Sequence, residues 1–328
     1  MIFNGLNKYF SFVPLNNRLY FSARWLLIVF LFACSNAYSN KSEHILFVLS
    51  KNTPEYRKMV DSVMANRGVH HNLSYDILIY KDQARIEKTL QKSAVVISIG
   101  STAADTVLAR KLHQPVINIL ITKSVFNSLA EKYYGDSSKA IASGVNPLLL
   151  DQPFERRLNL AYGIVKKLDN VGVMLGPSAA RSISVYSEAI KRKRLKPKMV
   201  IIDPDKNPIK QLDPVIRSSD AFIPIADSHL VNVTTAKWIL QLAYRYRVPV
   251  IGYSSNYVEA GALASVYSSP QNVSQQTAEL LKSLLTKTHK NQVHLPKYCT
   301  ITFNKTVAWH LNLEIPKALE KNTGRCEL

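Results

Sequence analysis

From His44 to Tyr267 the chain alternates short apolar runs with stretches whose apolar residues recur at helical spacing, and no other feature constrains the fold as strongly. His44-Ile-Leu-Phe-Val-Leu-Ser50 reads as a buried strand. Between Pro54 and Gly68, residues Tyr56, Met59, Val60, Val63 and Met64 fit a helix that opens on proline and closes on glycine. The cycle recurs. Runs at 75–80, 94–99, 115–121, 171–175, 199–202, 221–225, 248–253, 263–267 and 298–303 predict strands, with helical patterns between most of them. Strands separated by helices pair in parallel, because a parallel pair needs a crossover connection. At 328 residues the chain exceeds one domain of ~150 residues. The expectation is therefore an α/β protein of two lobes, each with its own parallel sheet. Lobe one takes 43–146 and, after a helix that crosses back, about 270–313; lobe two takes 147–269, and 314–328 form a tail. No low-complexity linker separates them, which suits a hinge of several crossing segments.

The first forty residues differ from the rest. Lys8, Arg18 and Arg24 precede Trp25-Leu-Leu-Ile-Val-Phe-Leu-Phe32, and small residues follow at Ala33, Ser35 and Ala37. A basic region, a short apolar run and a small-x-small site predict a signal peptide over 1–37 and a periplasmic mature protein. The run is shorter than the ~20 residues that span a bilayer. Leu31-Phe-Ala-Cys34 offers an alternative, lipidation at Cys34, although Phe32 fits that motif poorly. Beyond this segment only Cys299 and Cys326 remain, so either a single bridge ties down the tail or both thiols are free. Lys and Arg number 42 against 23 acids, and the signal segment holds three of the bases and no acid. Such a field favours anionic surroundings without naming a partner. The run Lys191-Arg-Lys-Arg-Leu-Lys196 falls at a predicted helix end, where cations complement the dipole, and no nucleic-acid motif accompanies it. His70 and His71 lack metal-ligand companions and read as turn residues, so neither metal nor cofactor is expected.

In open α/β sheets a ligand sits beyond the carboxyl ends of the strands, where loops enter helix N-termini. Here those loops carry Ser50, Gly100, Ser101, Thr102, Thr122, Gly176, Ser178, Arg181, Asp227, Tyr253 and Ser254. Gly100-Ser101-Thr102 follows an apolar strand and suits an anion, though Ser and Thr also serve simply as helix caps. Arg181 suits a carboxylate clamp or an ordinary surface position, and Asp227 either a ligand amine or a turn cap. Tyr253 would stack on a ligand or pack at the crossing. Asp151, Glu155 and Asp203 are scattered acids rather than a catalytic pair. A Gly-x-Ser-x-Gly elbow, a Gly-x-x-x-x-Gly-Lys loop and a Gly-x-Gly-x-x-Gly turn are all absent, which argues against an enzyme.

Leu150-Asp-Gln-Pro-Phe-Glu-Arg-Arg-Leu-Asn-Leu-Ala161, Tyr246-Arg-Val-Pro-Val-Ile-Gly-Tyr253 and Gly261-Ala-Leu-Ala-Ser-Val-Tyr267 resemble a branch of the ABC-importer substrate-binding proteins. That branch is similar to the tryptophan- and tyrosine-type binding proteins, and the resemblance covers most of 43–313. It implies a type I periplasmic-binding-protein fold: two Rossmann-like lobes, a three-segment hinge and closure on a ligand. In relatives, loops matching Ser101-Thr102, Ser178 and Asp227 line the cleft. The high positive charge departs from the pattern. The expected function is an exported, monomeric solute receptor that binds a small polar ligand such as an amino acid. It would deliver that ligand to an inner-membrane ABC permease with its ATPase. A sensory module of the same fold is the alternative, and a two-lobed transferase a more distant one.

Overall fold

The computed structural model describes residues 43–66, 73–226, 233–320 and 324–326. The expected export segment with Cys34, the pair His70-His71, Asp227 and the side chain of Ser178 lie outside that description. The first layered unit runs β1 (Glu43–Leu49), α1 (Pro54–Met64), β2 (Leu73–Ile79), α2 (Gln83–Leu90), β3 (Val95–Ile99), α3 (Ser101–Leu108), β4 (Val116–Ile121), α4 (Lys123–Tyr134), α5 (Ser137–Ala142) and β5 (Val145–Leu149). Its five strands are all parallel, in the order β2-β1-β3-β4-β5. β1 and β3 are buried on both faces, which is why they read as unbroken apolar runs. One core lies on each face. Phe47, Ile97 and Ile117 belong to one, and Leu46, Val96 and Phe126 to the other.

The chain then crosses into a second unit. It comprises α6 (Phe154–Ile164), β6 (Asn170–Leu175), a 3-10 turn (Pro177–Ser182), α7 (Ile183–Arg192), β7 (Lys196–Ile201), α8 (Pro208–Arg217), β8 (Ala221–Pro224), α9 (Val233–Tyr246), β9 (Ile251–Gly252), α10 (Ser255–Glu259) and β10 (Ala264–Tyr267). Strands β7-β6-β8 are parallel, and β8 meets the segment before β9 through the Phe222↔Val250 bridge. β9 and β10 continue in parallel. Each unit thus has the same winding, with its switch point between the first strand and the third.

After β10, helix α11 (Pro270–Leu285) returns to the first unit, where Val273, Ala278, Leu280 and Leu281 join the core of Met59, Val60 and Val63. His294 bridges Leu148 of β5, and the chain then crosses a third time. β11 (Tyr298–Phe303) pairs antiparallel with β10, and α12 (Lys305–His310), α13 (Lys317–Glu320) and β12 (Gly324–Arg325) follow. Two expected boundaries therefore move. β5 keeps 145–149 in the first sheet, so lobe two does not begin at 147, and residues 298–313 belong to the second unit rather than the first. The described part of the expected tail, 314–320 and 324–326, is tied down as well: Leu319 and Cys326 pack on the second core, and Cys299 is disulfide-bonded to Cys326.

Candidate functional site

The three crossings meet at one place, and two side chains join them. Gln152 donates from Nε2 to Ser268 Oγ at 2.8 Å and to the Tyr298 carbonyl at 3.3 Å. Arg156 donates from Nη1 to Gln152 Oε1 at 2.6 Å and to the Pro296 carbonyl at 2.7 Å. One residue of the first crossing is therefore bonded to the second and third, and its neighbour one helical turn on repeats the link to the third.

Beside this junction lies a cavity of about 270 Å³ whose walls come from both units. Thr122, at the end of β4, and Leu150 and Asp151 of the first crossing form one side. Phe154, Arg157, Tyr186, Ile225, Ala226, Tyr253 and Val266 form the other. Local sequence explains these placements. Thr122 is the N-cap of α4, its Oγ1 accepting from the Val125 amide. It follows a bulge in β4, where Leu120 has φ +55° and the register with β5 shifts. Asp151 Oδ2 accepts from the Lys123 amide at 2.6 Å, so this carboxylate also occupies the N-terminus of α4. Pro153 starts α6, and Phe154, Arg157, Leu158 and Ala161 follow at helical spacing on its buried face.

Electrostatically the cavity is unusual. Arg157 is only 6% exposed, and its guanidinium lies 5.9 Å from the Phe154 ring centroid. Nη1 donates to the Pro224 carbonyl at 2.6 Å, whereas Nε has no partner. Burial pulls the pKa of Arg157 down, opposed by attraction to Tyr186, Asp151 and Tyr253. Burial likewise raises Asp151, against the Lys123 amide and the charge of Arg157. Tyr186 and Tyr253 are raised by burial too and keep their protons, so their hydroxyls are donors at neutral pH.

Of the residues expected from sequence, the structure brings Thr122 and Tyr253 to this cavity. Ser50, Gly100, Ser101 and Thr102 cluster instead at the switch point of the first sheet. There Ser50 Oγ accepts from the Ala103 amide at 2.8 Å. Gly100 has φ +91°, and a Cβ on it would lie 2.7 Å from Ser50 Oγ, so glycine is required for that close approach. Gly176 precedes the 3-10 turn that carries Ser178, and Arg181 in that turn is exposed. Ser254 is the N-cap of α10 and lines a separate depression of about 870 Å³ against α9. That larger hollow is walled by the second unit alone, including Tyr244 and Tyr257, and offers no buried charge. The smaller cavity is the better candidate because both units build it and it holds both signs of charge. Sequence reasoning missed Asp151, Phe154, Arg157 and Tyr186 as lining. The available signal was helical spacing alone, which sets Arg157 on the same face as Phe154, Leu158 and Ala161 while Glu155 and Arg156 fall elsewhere on the helix.

A family model described as ABC transporter substrate binding protein matches residues 80–326. The chain belongs to this family. Membership places it among solute-binding proteins that in general do not catalyse reactions. Among solved structures, a substrate binding protein with adhesive properties from Clostridium difficile, in a ligand-free, open form, superposes with a TM-score of 0.62 at 16% identity. It covers 86% of this chain and 98% of its own. An ABC domain in complex with L-Trp from Streptococcus pneumonia gives 0.54 at 15% identity, covering 86% and 98%. A conserved domain protein from Vibrio cholerae gives 0.55 at 18%, covering 86% and 99%. At these identities the likeness establishes the type I periplasmic-binding-protein fold. No curated protein matches the sequence significantly. Among the described residues no helix is long and apolar enough to cross a membrane, and no cluster of His, Cys, Asp or Glu could hold a metal ion.

Proposed function

We propose that this substrate-binding family member is the exported solute receptor of an ABC importer. It takes a small polar solute into the cavity beside the crossings and hands it to a membrane permease driven by its ATPase. The observation that carries this reading is the composition of the cavity wall, with Thr122 and Asp151 from one unit facing Phe154, Arg157 and Tyr253 from the other. A solute held by both walls favours their approach, and the closed form is what a permease recognises. No covalent step is needed. The basic, apolar and small-residue order of 1–37 supports export, and a single chain suffices for the mechanism.

The test is a thermal-shift screen of the mature protein against amino acids, purines, short peptides, sugars and vitamins, followed by scattering on any hit. A solute that binds only the folded state raises stability by RT ln(1 + [L]/Kd). The expected result is a saturable shift and a smaller radius of gyration, both lost in Asp151→Asn or Tyr253→Ala, with the compound recovered unchanged. A folded protein that no compound stabilises, or one that consumes the compound, would sink the reading.

A further inference from the structure

The two most exposed large apolar side chains among the described residues, Tyr244 at 79% and Trp309 at 74%, belong to helices α9 and α12 of the second unit. Contacts join them. Tyr244 lines both the hollow of about 870 Å³ and a second of about 260 Å³, and these share Leu240, Gly261 and Val307, so they form one apolar groove. His310 lines the second hollow, its carbonyl accepts from Arg247 Nη2 at 2.7 Å, and its ring lies 4.9 Å from that of Trp309. Cations mark both ends. Lys237 lines the groove near the start of α9, and Arg247 follows its end, about 15 Å away at 1.5 Å of rise per residue. Neither makes an ion pair among the described residues, and no acid among them lines either hollow. Glu259, beside Ala260, is exposed at the rim.

A single exposed tyrosine or tryptophan needs no explanation, but two of them on a groove ended by unpaired cations do. A second copy is a poor occupant, because a two-fold interface would bring the same cations face to face. A partner protein would need a projection shaped to the groove. Aromatic rings with Lys and Arg beside them are instead the composition that settles at a bilayer boundary, where the ring body enters the acyl region, its polar tip stays with the headgroups and cations meet phosphate. Fluid acyl chains conform to a hollow as readily as to a projection. The excess of bases over acids in the whole chain adds attraction to an anionic surface. We propose that this face of the second unit docks on an anionic phospholipid bilayer, with Trp309 and Tyr244 inserted at headgroup level and Lys237 and Arg247 on lipid phosphates. The attachment is peripheral and reversible. It holds for any solute, since neither aromatic lines the cavity beside the crossings.

The probe is built into the chain. Of its three tryptophans Trp25 lies in the expected export segment, so Trp238→Phe leaves Trp309 as the sole indole of the mature protein. That variant is mixed with vesicles of phosphatidylcholine, alone or with an equal part of phosphatidylglycerol, prepared with and without brominated acyl chains. The expected result is co-sedimentation with the anionic vesicles, blue-shifted emission and quenching by bromine, all weakened by added salt. Soluble glycerophosphate should leave the emission unchanged, which separates a bilayer from its headgroup. In the parent sequence, read by sedimentation alone, Trp309→Ala and Tyr244→Ala should each weaken binding about tenfold. Lys237→Gln and Arg247→Gln should each weaken it about fivefold. All four variants should keep the parent's thermal midpoint, and this series carries the test if Trp238→Phe does not fold. Vesicles that sediment without the protein overturn the proposal. Binding that survives both aromatic substitutions overturns it too, leaving only adsorption of a basic protein. A blue shift that grows with protein concentration in the absence of vesicles assigns the face to a second copy. One produced by an acidic amphipathic helical peptide, and not by vesicles, assigns it to a partner protein, and either outcome overturns the lipid reading.

Discussion

His294 sits where the third crossing runs beside β5, its amide donating to the Pro147 carbonyl and its carbonyl accepting from the Leu149 amide. Its ring lies 5.2 Å from that of His289, and Nε2 is buried without a partner. Burial, with the neighbouring His289, lowers its pKa to about 4 from an ordinary 6.5. In the unfolded chain the imidazole takes a proton as pH falls through 6.5, whereas in the folded chain it resists until about 4. Between those values the unfolded state binds more protons, so its contribution to stability is complete above pH 6.5 and is lost as pH falls towards 4. His289 and His44 are lowered as well, by burial first, so each adds a loss of stability that begins as pH falls below 6.5. Urea unfolding at intervals from pH 7 to pH 4 should show falling stability, with a shallower slope in His294→Phe, which keeps the ring and removes the titration. Equal slopes in the two proteins would show that His294 does not carry the dependence.

Elements built on continuous periodicity were legible in the sequence, and those whose pattern is broken by a tertiary need were not. β1, β3 and β11 lie within a residue of their expected bounds because burial on both faces, or on one, leaves a clean apolar signal. β5 was missed because Asn146 and Pro147 interrupt it. Both are explained by the third crossing: Asn146 Oδ1 accepts from His289 Nε2 at 2.8 Å, and the carbonyl of Pro147 accepts from His294. Only the single His294 bridge lies on that side of β5, so proline's missing N–H forfeits no ladder bond there. Helix α4 is an exception, since Val125, Phe126, Leu129, Ala130, Tyr133 and Tyr134 recur at helical spacing and yet it is not among the expected elements. The site was only half legible, because Thr122 and Tyr253 follow from the strand-end rule while Arg157 lies inside a helix that the rule does not reach. The junction of the crossings is likewise a tertiary fact. Gln152→Ala should remove its bonds to Ser268 and Tyr298 and cost about 1–2 kcal/mol in urea unfolding. It should also speed hydrogen exchange at the amides of 296–298. Unchanged exchange there would mean that Gln152 does not hold the crossings together.

At the scale of the whole molecule, the chain's last described residues decide how the second sheet ends. β11 and β12 are antiparallel additions to an otherwise parallel sheet, and β12 pairs with β11 through only two positions, Tyr298↔Arg325 and Cys299↔Gly324. So short a strand has little hydrogen bonding of its own to hold it. The Cys299–Cys326 disulfide supplies the missing restraint by closing a loop of sequence separation 27, with Cys299 buried in the second core. A loop of that length is associated with about 3–4 kcal/mol of stabilisation through the unfolded chain. The bond also belongs in an oxidising compartment, in keeping with the export expected from residues 1–37. Reduction should therefore lower the unfolding free energy obtained from urea titration by an amount of that order and leave the first unit's amides as protected as before, because its five strands and α11 do not depend on the tail. Cys299→Ala/Cys326→Ala should reproduce the effect without reductant, separating loss of the crosslink from any action of the reagent. If the double variant instead unfolds at the parent midpoint, the antiparallel extension is held by the packing of Ala308 and Leu319 alone, and the disulfide is dispensable to the fold.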